Sequence, residues 1–589
     1  MGRPSTSCDA EGVAAPLLGP APIAQDSPRS RGSAASGASH RPLTLWPLVV
    51  LIFFEVSGGP FGTEDAVSAG GPLLTVLGFL ILPLIWSVPE ALVTAELATA
   101  FPENSGYVAW VTAAFGPFWG FQEGLWSWLS GVADNSLYPV MLAANLQLFW
   151  PELGQPGVVR GVFLVGMSAA LSYMNYRGLT VVGHSLVASA AAILVPFAVL
   201  CALAAPRVTP ANWTEVDWGA VDWRTFINVM FWNLNYWDSV STLAGEVANP
   251  GRTFPRALLL AVGLVVVMYL APALAALGVA APDSGGGDWG LGYYGQVAQQ
   301  VGGRWLAVWV LFAAAFSQVG QYQAEMASDS YQLQGMAERG FLPLALARRS
   351  AHGTPTLGIV LSSLGVLMLS CLSFVEIVEL LNAIYCMAEL LEFAAFVWLR
   401  VSRPDLPRPY RVPLPTWGCV AMLLPASLLL LYVLAMPFLA LDVPTMAATS
   451  GAVVLGLVLY PLLQAARTRG WCEFSDLHFD TDNVLGPRVH CSHSWPEHNY
   501  GVVGVDGDDP RHGGGGHLGD QVAVWRKLAA AHGGNGVVGA AADMEPEGAA
   551  GAAAAPAAAC GGNGCVHQDQ DQEGAGSVGA EGEKGEAAV

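Results

Sequence analysis

The chain has 589 residues, 53% of them hydrophobic and only 12% charged. Soluble domains are about 25% charged, so an ordinary water-soluble globule is excluded and membrane spans are expected. The net charge of -21 is uneven: residues 471–589 hold 18 acids against 5 bases, and residues 1–470 hold 28 against 20. No lysine precedes Lys527, so every fixed cation of the apolar region is an arginine. Nothing forms a basic face for phosphates, which excludes nucleic acid as a partner. The 9 cysteines show neither metal-ligand spacing nor a disulfide framework, and no cofactor motif is present.

Residues 1–43 are polar and rich in Ser, Ala and Gly. They are expected to be a disordered cytoplasmic tail, without the pattern of a signal peptide. Residues 44–469 are nearly continuous apolar stretches with short connections, the expected membrane domain. Residues 470–589 form an acidic, Gly/Ala-rich tail expected to be mostly disordered, with Gln521–Ala531 as a short amphipathic stretch.

A span needs about 20 apolar residues. Twelve stretches qualify: 44–69, 72–99, 117–148, 157–175, 179–204, 222–247, 255–280, 304–333, 356–375, 377–399, 414–436 and 443–466. The gap near Val375–Val378 decides between twelve spans and eleven. Arginine placement gives an independent test. With the N-terminus inside, sixteen arginines fall in cytoplasmic segments, and four (Arg160, Arg207, Arg224 and Arg304) fall in outer loops. Both termini are then cytoplasmic. A glycosylation sequon at Asn212 lies in an outer loop, consistent with this assignment.

The first span carries Ser57-Gly58-Gly59-Pro60-Phe61-Gly62 at mid-depth, flanked by Glu55, Glu64 and Asp65. Glycines in membrane helices commonly serve close packing. A following proline and flanking acids favour a broken helix, which survives only where its backbone lines a cavity or is buried in protein. The sixth span carries Asn233-Leu234-Asn235-Tyr236-Trp237-Asp238, a poor helix core. Two breaks five spans apart are the pattern of a transporter with an inverted repeat, whose substrate binds near the midplane between them.

Glu55, Glu90, Glu96, Glu123, Asp134, Asp238, Glu246, Glu325, Asp329, Glu389 and Glu392 all fall within spans, and no arginine lies comparably deep. A carboxylate at a helix centre costs at least about 2.5 kcal/mol. Such groups must be protonated, face water or meet a cationic ligand. Glu96, Glu246 and Asp329 lie near span ends, where a structural role is expected. The surplus points to a cationic substrate, proton coupling, or both.

Helical spacing gathers several of these acids. Glu123, Ser127, Ser130, Asp134 and Tyr138 share one face of the third span. Gln318, Gln321, Tyr322, Glu325 and Asp329 share one of the eighth, and Glu379, Asn382, Tyr385, Glu389 and Glu392 one of the tenth. Hydrogen bonding between helices is the plainer use of such faces. Trp232, Tyr236 and Trp237 beside Asp238 offer an organic cation an aromatic surface. His184 reads as a core histidine.

The runs FFEVSGGPFGTEDAV, WSVPEALVTAELATAFPENSGYVAWV and FWNLNYWDSVSTLAGEVANPGRTFPRA, with the later LRVSRPDLPRPYRVPLP, resemble the amino acid/polyamine/organocation superfamily. Within it, they are most similar to the polyamine:cation symporters of plants, algae and related protists. The resemblance covers about residues 44–469. It implies an all-α, multi-pass LeuT-like fold, a 5+5 inverted repeat plus two further helices, working by alternating access. It also implies proton-coupled import of putrescine, spermidine or spermine, with paraquat-like dications as adventitious substrates; the plasma membrane is the default location.

In amino-acid members of that family the first break binds the substrate. Here Ser57, Gly58, Gly59 and Gly62 occupy its place. Trp232, six residues before Asp238, matches the aromatic gate and acidic position of bacterial diamine exchangers. Asp238 is the expected ammonium partner, with Asn233, Asn235 and Tyr138 as neighbours and Asp134 for a second ammonium. Glu55, Glu123 and Glu325 are the candidate proton carriers. An amino-acid permease and a transporter-fold nutrient sensor are the competing readings. An intramembrane enzyme lacks any nucleophile–base pair to support it.

Overall fold

The computed structural model describes residues 43–147, 150–279, 289–290 and 292–475. These residues are helical, with two isolated bridge pairs, Leu43 with Val247 and Pro343 with Phe474. Residues 1–42 and the C-terminal tail beyond residue 475, Gln521–Ala531 included, lie outside the described residues.

Helix α1, Leu45–Val56, stops at a break, beyond which α2, Glu64–Leu82, resumes the first span. α2 bends at Gly71, whose φ is 75°, immediately before Pro72. The second span starts there and runs through a π-helical turn at Pro83–Ser87 into α3, Val88–Ala100. A short helix, α4 (Tyr107–Phe115), precedes α5, Pro117–Leu146. Then come α6, Val158–Tyr176, and α7, Leu179–Ala204. The sixth span is α8, Trp223–Trp232, a second break, and a 3₁₀ segment at Ser239–Glu246. α9, Pro250–Val279, is followed by the short α10, Tyr293–Gly302, and the long α11, Arg304–Glu338. The remaining spans are α12 (Thr356–Leu369), α13 (Phe374–Ser402), α14 (Thr416–Leu439) and α15 (Val443–Thr468).

Helices thus occupy all twelve expected stretches. Eight are long and apolar enough to cross a membrane unaided. The other four differ for physical reasons. The first and sixth spans are broken, α5 carries a dense polar face, and α12 has only 14 residues. The ambiguous gap is resolved by a cap. Ser373 accepts from the backbone N–H of Glu376, whose carboxylate accepts from the Ser373 backbone at 2.9 Å. That capping box starts a new helix at Phe374, so α12 and α13 are separate spans.

The packing repeats after five spans. The most extensive helix interfaces are α5 with α13, α5 with α11, and α7 with α11. Adding five to each span number turns third-on-tenth into eighth-on-fifth and leaves third-on-eighth unchanged. The two short helices obey the same rule. α4 packs on α5 after a turn at Gly116 (φ 90°), and α10 packs on α11 after a turn at Gly303 (φ 85°). This is the arrangement a 5+5 repeat requires.

At the arginine-rich end, the stretch between α13 and α14 folds over one acid. Arg400 binds Glu96 through both its Nε and a terminal nitrogen, Arg408 lies 3.0 Å from the same carboxylate, and the Val412 N–H donates to it at 2.8 Å. Glu246 is held by Arg349 at 2.6 Å and Asn104 at 2.9 Å. These two acids are structural, as their positions implied. Asp329 is also buried, and its Oδ2 has no hydrogen-bond partner. One further reading is corrected. His184 is exposed on α7 rather than in the core. Asn212 is buried with its amide facing the carbonyls of Leu277 and Gly278 at 3.4 Å, which argues against a glycan there.

Candidate functional site

The first break follows from three glycines with positive φ, Gly58 (62°), Gly59 (121°) and Gly62 (90°), around a proline that has no N–H to give. Its freed backbone groups are satisfied locally. Ser57 Oγ accepts from Gly59 N at 3.1 Å, Ser317 donates to the Gly58 carbonyl at 2.7 Å, and Glu64 accepts from Gly62 N at 2.8 Å. Close approach also demands glycine. A Cβ on Gly58 would lie 2.4 Å from the Gln321 side chain, and one on Gly62 would lie 2.7 Å from the Trp232 ring.

The second break is held by other spans. Trp86 and Ser87 donate to the Leu234 carbonyl at 3.0 and 3.3 Å. The Trp237 N–H donates to Glu90 at 2.7 Å, and the Tyr236 N–H to the Tyr385 hydroxyl at 3.2 Å. Tyr236 itself sits at φ 68°, a strained conformation for a non-glycine residue that recurs at functional sites.

Between the breaks lies a small cavity lined by Glu55, Val56, Ser57, Asp134, Tyr138, Trp232, Asn233, Tyr236, Tyr269 and Gln321. Its lining contains two carboxylates and four aromatic side chains, but no arginine, lysine or histidine. Asp134 is held by Trp232 Nε1 at 2.6 Å and by the Tyr138 hydroxyl. Glu55 accepts from Ser328, leaving Oε2 buried and unpartnered. At about 10 Å³ the cavity has room for about one water. The centre of the molecule is closed.

Towards the arginine-poor end a wider opening of about 240 Å³ is lined by Asp65, Asp222, Glu379, Phe374 and neighbouring residues. Trp232 separates the two spaces: it lines the inner cavity, and its ring packs edge-on against Phe374 at 5.4 Å. Access from this end therefore passes the Trp232–Phe374 pair.

The structure groups six of the thirteen nominated residues at the cavity: Glu55, Ser57, Asp134, Tyr138, Trp232 and Asn233. Gly58, Gly59 and Gly62 shape the first break behind it. Asp238 lies elsewhere, behind Tyr236, bonded to the Tyr385 hydroxyl at 3.0 Å. Asn235 is 3.4 Å from Asn382, and Tyr138 partners Asp134 rather than Asp238. Glu123 accepts from Ser127 at 2.9 Å, and both it and Glu325 are buried away from the cavity lining. Sequence reasoning passed over Gln321 and Tyr269. Gln321 lay on the polar face of the eighth span; Tyr269, alone in an apolar stretch, gave no signal.

A family model described as "Amino acid permease" matches residues 43–460. The chain belongs to the amino acid permease family. It is 52% identical over 468 residues to polyamine transporter PUT1 of Oryza sativa subsp. japonica, covering 78% of this chain and 87% of that protein. A probable polyamine transporter of Arabidopsis thaliana is 54% identical over 434 residues, covering 73% of this chain and 89% of its own length. Polyamine transporter RMV1 of the same plant is 47% identical over 435 residues, 74% of this chain and 87% of that protein. This permease is accordingly a multi-pass membrane transporter of the amino acid/polyamine/organocation superfamily, not an enzyme.

Proposed function

We propose that this permease imports polyamines, coupled to protons, across the plasma membrane by alternating access. One observation carries the reading: the cavity between the two breaks pairs Glu55 and Asp134 with Tyr138, Trp232, Tyr236 and Tyr269 and has no cationic side chain in its lining. Carboxylates neutralise an ammonium group, and aromatic faces attract it. An amino acid also brings a carboxylate, and the Gly59 and Gly62 N–H groups of the first break already donate to Ser57 and Glu64. The relatives' names support the same substrate class, and flat dications such as paraquat share its chemistry.

Asp134 meets one ammonium in the cavity beside Ser57 and Asn233. Asp238, deeper behind Tyr236, meets a second once the breaks separate. A cavity this small cannot hold a chain of several methylenes, so the described state is a closed one. Substrate enters from the arginine-poor side, taken as external because arginines concentrate at cytoplasmic ends. It reaches the cavity when Trp232 swings from Asp134. Glu55, with one oxygen unpartnered, adds a second carboxylate at the cavity wall.

The test is uptake of radiolabelled spermidine and arginine into proteoliposomes, with and without an inward proton gradient. Wild type should accumulate spermidine over arginine, with stimulation by the gradient. Asp134→Asn should lower spermidine uptake at least about tenfold, the loss of one charge-assisted contact. Arginine uptake exceeding that of spermidine would make this an amino-acid permease.

A further inference from the structure

Behind Tyr236, three spans bring together acids that do not line the cavity. Carboxylate oxygens of Glu90 on α3, Asp238 at the second break and Glu389 on α13 all lie within 4.8 Å of one another, and all three residues are buried. Beyond them stand Glu392 and Cys386 on α13, Glu123 on α5 and Tyr107 on α4. Glu55 on α1, Glu325 on α11 and Tyr236 at the second break also face Asp238. No arginine, lysine or histidine is among them. Carboxylates crowded into a dry site cannot all be charged together without a cation.

Two hydrogen-bond counts sharpen this. The Tyr385 hydroxyl lies 2.6 Å from Glu90 Oε1 and 3.0 Å from Asp238 Oδ1, but it has one hydrogen for two acceptors. A proton on one of those carboxyl groups completes the pair. Glu90 Oε2 and Glu389 Oε2 are both buried without any partner, a costly state for charged oxygens.

We infer that the Glu90–Asp238–Glu389 cluster, joined by Tyr385, carries the coupling proton of the transport cycle, with Glu90 and Glu389 as its holders. The inference rests on the polyamine-symport reading above. Proton uptake converts a carboxylate to a carboxyl group, and release to the cytoplasm restores the carboxylate. One proton held on Glu90 or Glu389 removes one charge of the cluster, and an ammonium at Asp238 offsets another. The cluster also touches the moving part, because Glu90 accepts from Trp237 N–H and Tyr385 accepts from Tyr236 N–H. Losing the proton sets like charges on α3, α13 and the second break against one another and drives them apart.

The test compares two assays of reconstituted full-length protein, spermidine counterflow without a gradient and accumulation under an inward proton gradient. With the membrane potential held at zero, one pH unit coupled one-to-one supports about tenfold accumulation. Glu389→Gln and Glu90→Gln should keep counterflow yet lose accumulation, with no acidification of a trapped pH dye as spermidine enters. Variants that accumulate and acidify like wild type overturn the inference. So do variants whose counterflow falls in step with accumulation while its pH profile is unchanged, which would make the cluster a substrate subsite or a packing element. If one variant does not fold, the other and Tyr385→Phe decide by the same criteria. Wild type that fails to accumulate spermidine under the gradient overturns the symport reading as well, and that failure is read from wild type alone.

Discussion

Asp222 illustrates how much one side chain decides at the arginine-poor opening. It stands just outside α8 as its N-cap, and the Thr225 hydroxyl donates to its carboxylate at 2.6 Å. The backbone N–H groups of Thr225 and Arg224 donate at 3.2 and 3.1 Å. The Thr225 hydroxyl foremost, with the two backbone donors, holds this carboxyl below the usual carboxylate range. A depressed value means the charge, and the capping contribution, persist at ordinary pH and fade only as pH falls through that lower value. Asp222→Asn removes the charge and keeps a capping side chain. It should raise KM for spermidine up to about fivefold, equivalent to ~1 kcal/mol of attraction at the opening. The ratio to wild type should stay constant between about pH 5 and 7 and shrink with added salt. A ratio that collapses on mild acidification would show that Asp222 is neutral there. Asp222 was not among the residues nominated from sequence, since an Asp before a helix reads first as a cap.

At the scale of elements, both breaks were legible because glycine, proline and clustered amides are poor helix formers wherever they occur. Their partners were not. Trp86, Ser87, Glu90 and Tyr385 close the second break from the second and tenth spans, and no local pattern ties residue 90 to residue 237. The arginine- and proline-rich stretch after α13 is similar. Sequence marked it as a family feature, whereas the fold makes it the cover of Glu96, whose side chain is 0% exposed against 1% for Arg400. Breaking a buried pair leaves an uncompensated charge and costs about 3–5 kcal/mol. Glu96→Gln should therefore lower thermal stability in detergent sharply, while Arg403→Gln, at a 4.0 Å contact with the largely exposed Asp405, should change it little. Equal losses would mean that Glu96 is not the centre of that end.

For the whole molecule, the two ends differ. The arginine-poor end opens towards Trp232, while the other is tied by Arg349 to Glu246 and by Arg339 to Glu103. Arg349→Ala should loosen the 3₁₀ segment Ser239–Glu246, raising its amide hydrogen exchange by about threefold, the effect of a half-exposed ion pair worth under ~1 kcal/mol. Unchanged exchange would remove that pair from the closure of this end. The sequence by itself determined the spans, the two breaks and the excess of buried acid, because hydropathy, helix propensity and the absence of lysine from the apolar region are properties of composition and short range. Only the tertiary structure decided which acids share a site. It set Asp134 beside Trp232 in the cavity and Asp238 with Glu90 and Glu389 behind Tyr236, since helices far apart in the chain choose their neighbours by packing. A carboxylate's role depends on those neighbours, and a linear pattern does not contain them.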